Sequence, residues 1–398
     1  MEPARNRVTA TCALFLVLSL VSACAETEGS VTTVPGNRST TPETTTALPT
    51  TTTAPTSQPS STTPATTTST LPPLDPPTFE SLDGINTIRD FSQLTSQGLG
   101  QWQDSVPDIE DLTITSTADG ADQPALWLAP EGDGVKPLVV ILHSSSAEYL
   151  QHAGIPYAMF ADENGWAVIA PQFRGVNDDA DSMGSDLAVQ DVVDAIDYAT
   201  AQDGVDANRV YAVGYSGGGT MSLLLAGRHP DKVTAVAAWG PPYDLIEFYR
   251  QSVAAGRHYA PDIIAACGGD PTESSAAEED CLNRSPLSYL DTAREEQVPV
   301  YIAQGIHDQL LSPFHGASAF NQLAEPADQL SEDQLAAIAG GAIPDDLSGS
   351  IGIETYFGEG DPAPVFARQS AAAWLVFFDK DHDMAYGPTL RWFATDPS

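Results

Sequence analysis

The stretch RVYAVGYSGGGTMSLLLAG, Arg209 to Gly227, changes its pattern around a single serine. Val210 to Val213 is a short β-branched and aromatic run of the kind a buried strand carries. Met221, Leu224 and Leu225 then fall at i, i+3 and i+4, a helical spacing, and Gly227 with Pro230 closes that helix. Ser216 stands on the seam, between Gly214 and Gly218. Glycines suit such a seam because a Cβ would collide where the helix folds back on the strand. The serine is left exposed at the tip of a tight turn.

Gly214 to Gly218 fits G-x-S-x-G, the strained elbow that lifts a nucleophilic serine above the sheet edge in α/β-hydrolases. The same residues also suit a glycine-rich turn that binds phosphate, or nothing. The rest of the chain bears on that choice. DLTITST and PALWLAP read as antiparallel strands, and PLVVILH, WAVIAP, RVYAVGY, VTAVAAWG, PVYIAQG and AAWLVFF as buried, parallel ones. Between them, Ser185 to Gln202 carries Val189, Val192, Val193 and Ile196 on one helical face, behind a capping Ser-Asp start. The alternation predicts an α/β fold with a mostly parallel central sheet and helices on both faces. Active sites in such sheets lie at the carboxyl ends of the strands.

A serine hydroxyl needs an imidazole to take its proton, and the imidazole needs a carboxylate to orient it. In α/β-hydrolases the chain order is serine, acid, histidine. PVYIAQG runs into IHDQLLSP, which puts Asp308 just past a strand end, and AAWLVFF runs into DKDHDMAYG, which does the same for His382. Asp379 and Asp381 are the competing acids. His307 and His315 suit surface or supporting positions near Asp308; His229 suits the C-terminus of the elbow helix. His152 and His258 follow no strand. His143 follows one, but it precedes the serine and suits the oxyanion loop.

The chain ends say where the protein works. Arg5 and Arg7, the apolar ALFLVLSLV and the sequence Val21-Ser22-Ala23-Cys24 resemble a bacterial lipoprotein signal peptide over residues 1–23, with Cys24 as the acylated residue. An ordinary signal peptide cut near Ala25 is the alternative. Residues 24–77 are dominated by Thr, Ser and Pro and cannot bury a core, so a disordered stalk is expected there. Residues 78–398 suit one α/β domain. The expected location is the outer side of the cell membrane, lipid-anchored, or otherwise secreted. There Cys267 and Cys281, the pair left outside the leader, should form a disulfide. A net charge of −38, from 16 basic and 54 acidic residues, argues against nucleic acid or anionic lipid as a partner. The membrane is then reached only through the anchor.

Further stretches carry a resemblance. PQFRGVN, DANRVYAVGYSGGG, GRHPDKVTAVAAWGPPYDL, CGGDPTE with RSPLSYL, GIHDQLLSP and DHDMAYGP are similar, in that order, to the catalytic domain of the prolyl oligopeptidase family. The resemblance implies a serine hydrolase cleaving esters or peptide-like amides through an acyl-enzyme, with no metal or organic cofactor. It departs from the family in three ways. The usual His-Gly-Gly is here His143-Ser144-Ser145-Ser146, so the oxyanion donors are read as Gly217 with Ser144 or Ser145, or with the hydroxyl of Tyr149. An insertion at about 324–369 suggests a cap, and only about sixty residues lie between the stalk and the third strand, too few for a propeller. The competing class is a cell-surface lipoprotein that keeps a degenerate hydrolase fold for binding.

Overall fold

A computed structural model describes residues 73–87, 98–347, 356–357 and 362–397. The expected signal peptide, Cys24 and the stalk as far as residue 72 lie outside these.

The strands are β1 (Glu110–Thr115), β2 (Asp122–Leu128), β3 (Lys136–Leu142), β4 (Ala167–Pro171), β5 (Val205–Tyr215), β6 (Ala235–Trp239), β7 (Val300–Gly305), β8 (Pro364–Ser370) and β9 (Ala373–Phe378). They form one sheet in the order β1-β2-β4-β3-β5-β6-β7-β9-β8. The run from β4 to β9 is parallel, and β1, β2 and β8 are antiparallel additions at the edges. Each of the eight expected apolar runs is a strand of this sheet.

Alternate residues along each strand enter opposite cores. Leu138, Val140, Val236, Ile302 and Leu375 pack against α3 (Asp186–Thr200), α4 (Gly217–Arg228), α8 (Leu290–Glu295) and α9 (Phe314–Leu323). Val139, Ile141, Val213, Tyr301 and Val376 face α1 (Leu99–Ser105), α2 (Ile155–Asn164) and α11 (Tyr386–Phe393). The Ser185 cap is present: its side chain accepts from Ala188 N–H, and Val189, Val192, Val193 and Ile196 are buried. A third cluster joins α5 (Leu245–Ala255), α6 (Tyr259–Ala266) and α7 (Ser275–Asn283), where the Cys267–Cys281 disulfide closes a 14-residue separation. A cross-link of that span stabilises by ~3 kcal/mol on the loop-entropy model.

One reading is corrected. Residues 364–369, expected inside a surface insertion, belong to β8, which pairs antiparallel with β9. PVFARQS lacks a continuous apolar run because an edge strand is paired on one side only, and only part of it is buried. Within the same insertion α10 (Glu332–Ala339) starts with a Ser331 capping box, and Leu330, Ile338 and Leu347 enter the core beside α9.

Candidate active site

Ser216 lies between β5 and α4 with φ 55° and ψ −117°. Positive φ is uncommon for a residue with a Cβ and costs on the order of 1–3 kcal/mol, so the surroundings must impose it. They do. A Cβ on Gly214 would strike the backbone of Gly218, and one on Gly218 would strike the carbonyl of Leu142 at the end of β3. Ser216 N–H also donates to Trp239 O at 2.8 Å, which ties the turn to β6.

Asp308 and His382 follow β7 and β9, and the two strands are parallel neighbours. His382 Nδ1 is 2.6 Å from Asp308 Oδ2, and both side chains are almost wholly buried. The carboxylate is held from several sides. Its Oδ1 accepts from Leu310 N–H at 2.9 Å and Leu311 N–H at 2.8 Å, and its Oδ2 also accepts from Gln304 Nε2 at 3.1 Å. His382 Nε2 is buried and has no hydrogen-bond partner among the described residues. The ring rests 4.8 Å from that of Tyr215, whose hydroxyl donates to His382 O at 2.9 Å.

The competing acids do other things. Asp381 Oδ1 accepts from the backbone N–H of His382 and of Gln309, at 2.8 and 2.7 Å, which joins the two loops. Asp379 pairs with His307 at 3.0 Å on the exposed surface. His315 is fully buried in α9, where its Nδ1 accepts from Tyr243 N–H at 3.2 Å.

The oxyanion side is asymmetric. Ser144 N–H donates to Gln151 Oε1 at 2.9 Å, and Gln151 Nε2 donates to Ser144 Oγ at 2.7 Å, so the Ser144 amide is engaged. The hydroxyl of Tyr149 is engaged too, donating to Asp111 at 3.0 Å. Ser145 N lies beside the elbow, 2.8 Å from where a Cβ on Gly217 would be. A small apolar recess lies next to Ser145 and Gly217, lined by Phe173, Met183, Met221, Leu245, Phe248 and Tyr259. Leu245, Phe248 and Tyr259 come from the disulfide-closed helical cluster.

Sequence reasoning passed over Gln304, Gln151 and Asn177. Gln304 left one trace, an amide in an otherwise apolar strand run, and a buried amide must find partners. The other two lie in loops, where nothing in the spacing marks them.

His143 is fully buried against Phe173, with ring centroids 3.7 Å apart, and burial pulls its pKa from 6.5 down to about 4. In the unfolded chain the ring takes its proton near 6.5, so between these values the unfolded state binds more protons and stability falls with falling pH. A His143→Phe variant should lose less stability between pH ~6.5 and ~4 than the parent. Urea midpoints across that range measure the difference, and equal slopes would refute the assignment.

Such an elbow at the carboxyl end of a mostly parallel sheet defines an α/β-hydrolase. Residues 157–336 match the model of the prolyl oligopeptidase family, a span that includes Ser216 and Asp308 but not His382. Feruloyl esterase B of Thermothelomyces thermophilus is 25% identical over 209 residues, which cover 50% of this chain and 67% of that one. The acylamino-acid-releasing enzyme of Rattus norvegicus is 26% identical over 203 residues, 47% of this chain and 26% of the enzyme. The acylaminoacyl peptidase of Pyrococcus horikoshii aligns with a TM-score of 0.44 at 15% identity, over 54% of this chain and 34% of that one. The domain is a serine hydrolase, similar over residues 157–336 to the prolyl oligopeptidase family.

Proposed function

We propose that the protein hydrolyses carboxylic esters, and peptide-like amides more slowly, with Ser216 as nucleophile, His382 as base and Asp308 as its orienting acid. The observation that carries this reading is the buried 2.6 Å contact between His382 Nδ1 and Asp308 Oδ2. With the proton on Nδ1 facing the carboxylate, Nε2 keeps a free lone pair to accept the hydroxyl proton of Ser216. Ser216 Oγ then bonds to the acyl carbon, and the carbonyl oxygen takes the charge. Gly217 N–H and Ser145 N–H are the donors offered to that oxygen. His382 passes its proton to the departing alkoxide or amine as the acyl–leaving-group bond breaks. Water, deprotonated by the same imidazole, releases the carboxylic acid. The apolar side chains lining the recess beside Ser145 and Gly217 support an apolar acyl group as the part of the substrate nearest them.

Ester and amide differ in the leaving group. An amine leaves only when protonated, whereas a nitrophenolate leaves unaided, so esters tolerate an oxyanion hole built without the usual glycines. The expected result is measurable kcat/KM on short-chain p-nitrophenyl esters and a lower value on the amide of the same acyl group. An amide preference would restore the peptidase reading. Failure of Ser216 to react with a fluorophosphonate, together with no turnover, would favour the non-catalytic binding lipoprotein.

Export and anchoring belong to the same proposal. The lipobox-like Val21-Ser22-Ala23-Cys24 supports lipid on Cys24, and the Thr/Ser/Pro-rich stretch supports a spacer to the catalytic domain. A Cys24→Ala protein should move from the membrane fraction to the soluble fraction with its hydrolase activity intact. Retention in the membrane fraction would count against the anchor.

A further inference from the structure

The loop after β3 must present an amide at the elbow without a glycine to let the backbone in closely. Two side-chain amides, Gln151 at the end of the same loop and Asn177 from the loop after β4, hold it instead. Gln151 engages the N–H and the hydroxyl of Ser144, and Asn177 engages Ser145 twice. Asn177 N–H donates to Ser145 O at 2.8 Å, and Asn177 Nδ2 donates to Ser145 Oγ at 3.2 Å. The orientation of the Asn177 amide is not free. Its Oδ1 accepts from Met183 N–H at 3.1 Å, and since a backbone N–H can only donate, the NH₂ group must face the serine.

The surroundings make this clamp rigid. Asn177 is 7% exposed, and Met183 is held at φ 48°. Three residues before Asn177, Arg174 is anchored at φ 71° by ion pairs to Asp191 at 2.6 Å and Asp119 at 2.8 Å. The clamp also reaches the elbow. A Cβ on Gly217 would lie 2.8 Å from both Ser145 N and Asn177 Nδ2, so the residue after the nucleophile is glycine because these groups fill the space.

We propose that Asn177 is a positioning residue for the oxyanion hole: its Nδ2–Ser145 Oγ hydrogen bond fixes the Ser145 N–H beside the Gly217 N–H. It deepens the hydrolase reading and rests on it. Asn177 acts through Ser145 and does not itself touch the charged oxygen.

The test is a double-mutant cycle in the full-length enzyme, with Asn177→Ala, Ser145→Ala and the double variant assayed on p-nitrophenyl butyrate. The second-order rate of Ser216 phosphonylation by a fluorophosphonate is read in parallel, because the phosphoryl oxygen enters the same hole. Each single variant should lose about 10- to 100-fold in kcat with KM within about threefold, less than the ~10²–10³ for deleting an oxyanion donor outright. The double variant should be no worse than the poorer single, since both remove one bond. Affinity for a trifluoromethyl ketone, whose hemiketal oxygen occupies the hole, should fall in parallel with kcat/KM.

An unchanged kcat in Asn177→Ala, or a loss confined to KM, would overturn the proposal. So would additive losses, which would mean that Asn177 meets the oxyanion directly. Should Asn177→Ala fail to fold for want of an acceptor for Met183 N–H, Ser145→Ala carries the test alone, and wild-type kcat and phosphonylation there would refute it. Turnover surviving in Ser216→Ala would be a different failure, that of the hydrolase reading itself.

Discussion

Ser216→Ala should abolish both fluorophosphonate labelling and ester turnover, a loss of roughly 10⁴–10⁶ in kcat. The size follows from the chemistry, because without the Ser216 hydroxyl no acyl-enzyme forms there, and only the oxyanion donors and substrate binding would remain. His382→Ala should cost about as much, since nucleophile and base act as a unit and the two losses do not add. Asp308→Asn should leave the fold intact and still lower kcat by about 10⁴. An asparagine can present its NH₂ to Nδ1 and thereby hold the ring in the wrong tautomer. Circular dichroism and thermal melts alongside the stopped assays separate dead enzyme from misfolded enzyme. Equal labelling of Ser216→Ala and the parent would rule out Ser216, and full activity in Asp308→Asn would rule out Asp308.

Gly305→Ala should be almost as damaging, although Gly305 carries no chemistry. It ends β7, and a Cβ there would run into the carbonyl oxygens of Lys380 and Asp381 and lie 2.8 Å from the carbonyl carbon of Lys380. The acid loop and the histidine loop are laced together at this point. Ile306 N–H donates to Phe378 O at 2.9 Å and His307 N–H to Lys380 O at 3.0 Å. Both partners in the clash are backbone, so no rotamer change relieves it. The loops must separate, and the 2.6 Å contact between Asp308 and His382 separates with them. The expected cost is about 3 kcal/mol of stability, with a fall in kcat of at least 100-fold, as expected when reacting groups move by about 1 Å. Thermal melts alongside kcat measure both, and a Gly305→Ala enzyme with parental melting temperature and kcat would show that the two loops are not coupled there.

Sequence and tertiary structure carry different kinds of information. The elbow, the alternating strands and the order Ser216, Asp308, His382 are local or sequential properties. Glycine spacing, apolar periodicity and position after a strand all survive projection onto one dimension. The elbow was legible for that reason, down to the glycines whose absent Cβ atoms let α4 fold back on β5. Strand β8 was not legible. An edge strand needs only one apolar side and one paired neighbour, so PVFARQS reads like a loop. Chain order could not separate Asp308 from Asp379 and Asp381 by distance, because all three flank strand ends.

By itself, then, the sequence determined an α/β-hydrolase domain, a candidate nucleophile at its elbow, and a short set of acids and histidines at the right edge of the sheet. It also determined that no glycine-rich loop would supply the second oxyanion donor. Only the tertiary structure decided which groups meet. Asp308 faces His382 because β7 and β9 are neighbours, while Asp381 is spent on backbone amides. The Ser144 N–H is occupied because Gln151, seven residues on, turns back to accept it. Asn177 reaches Ser145 across a sequence distance of 32. Hydrogen bonds are directional and end within about 3 Å, so which amide is occupied and which is left for substrate depends on the folding of segments distant in the chain, and no spacing rule encodes it.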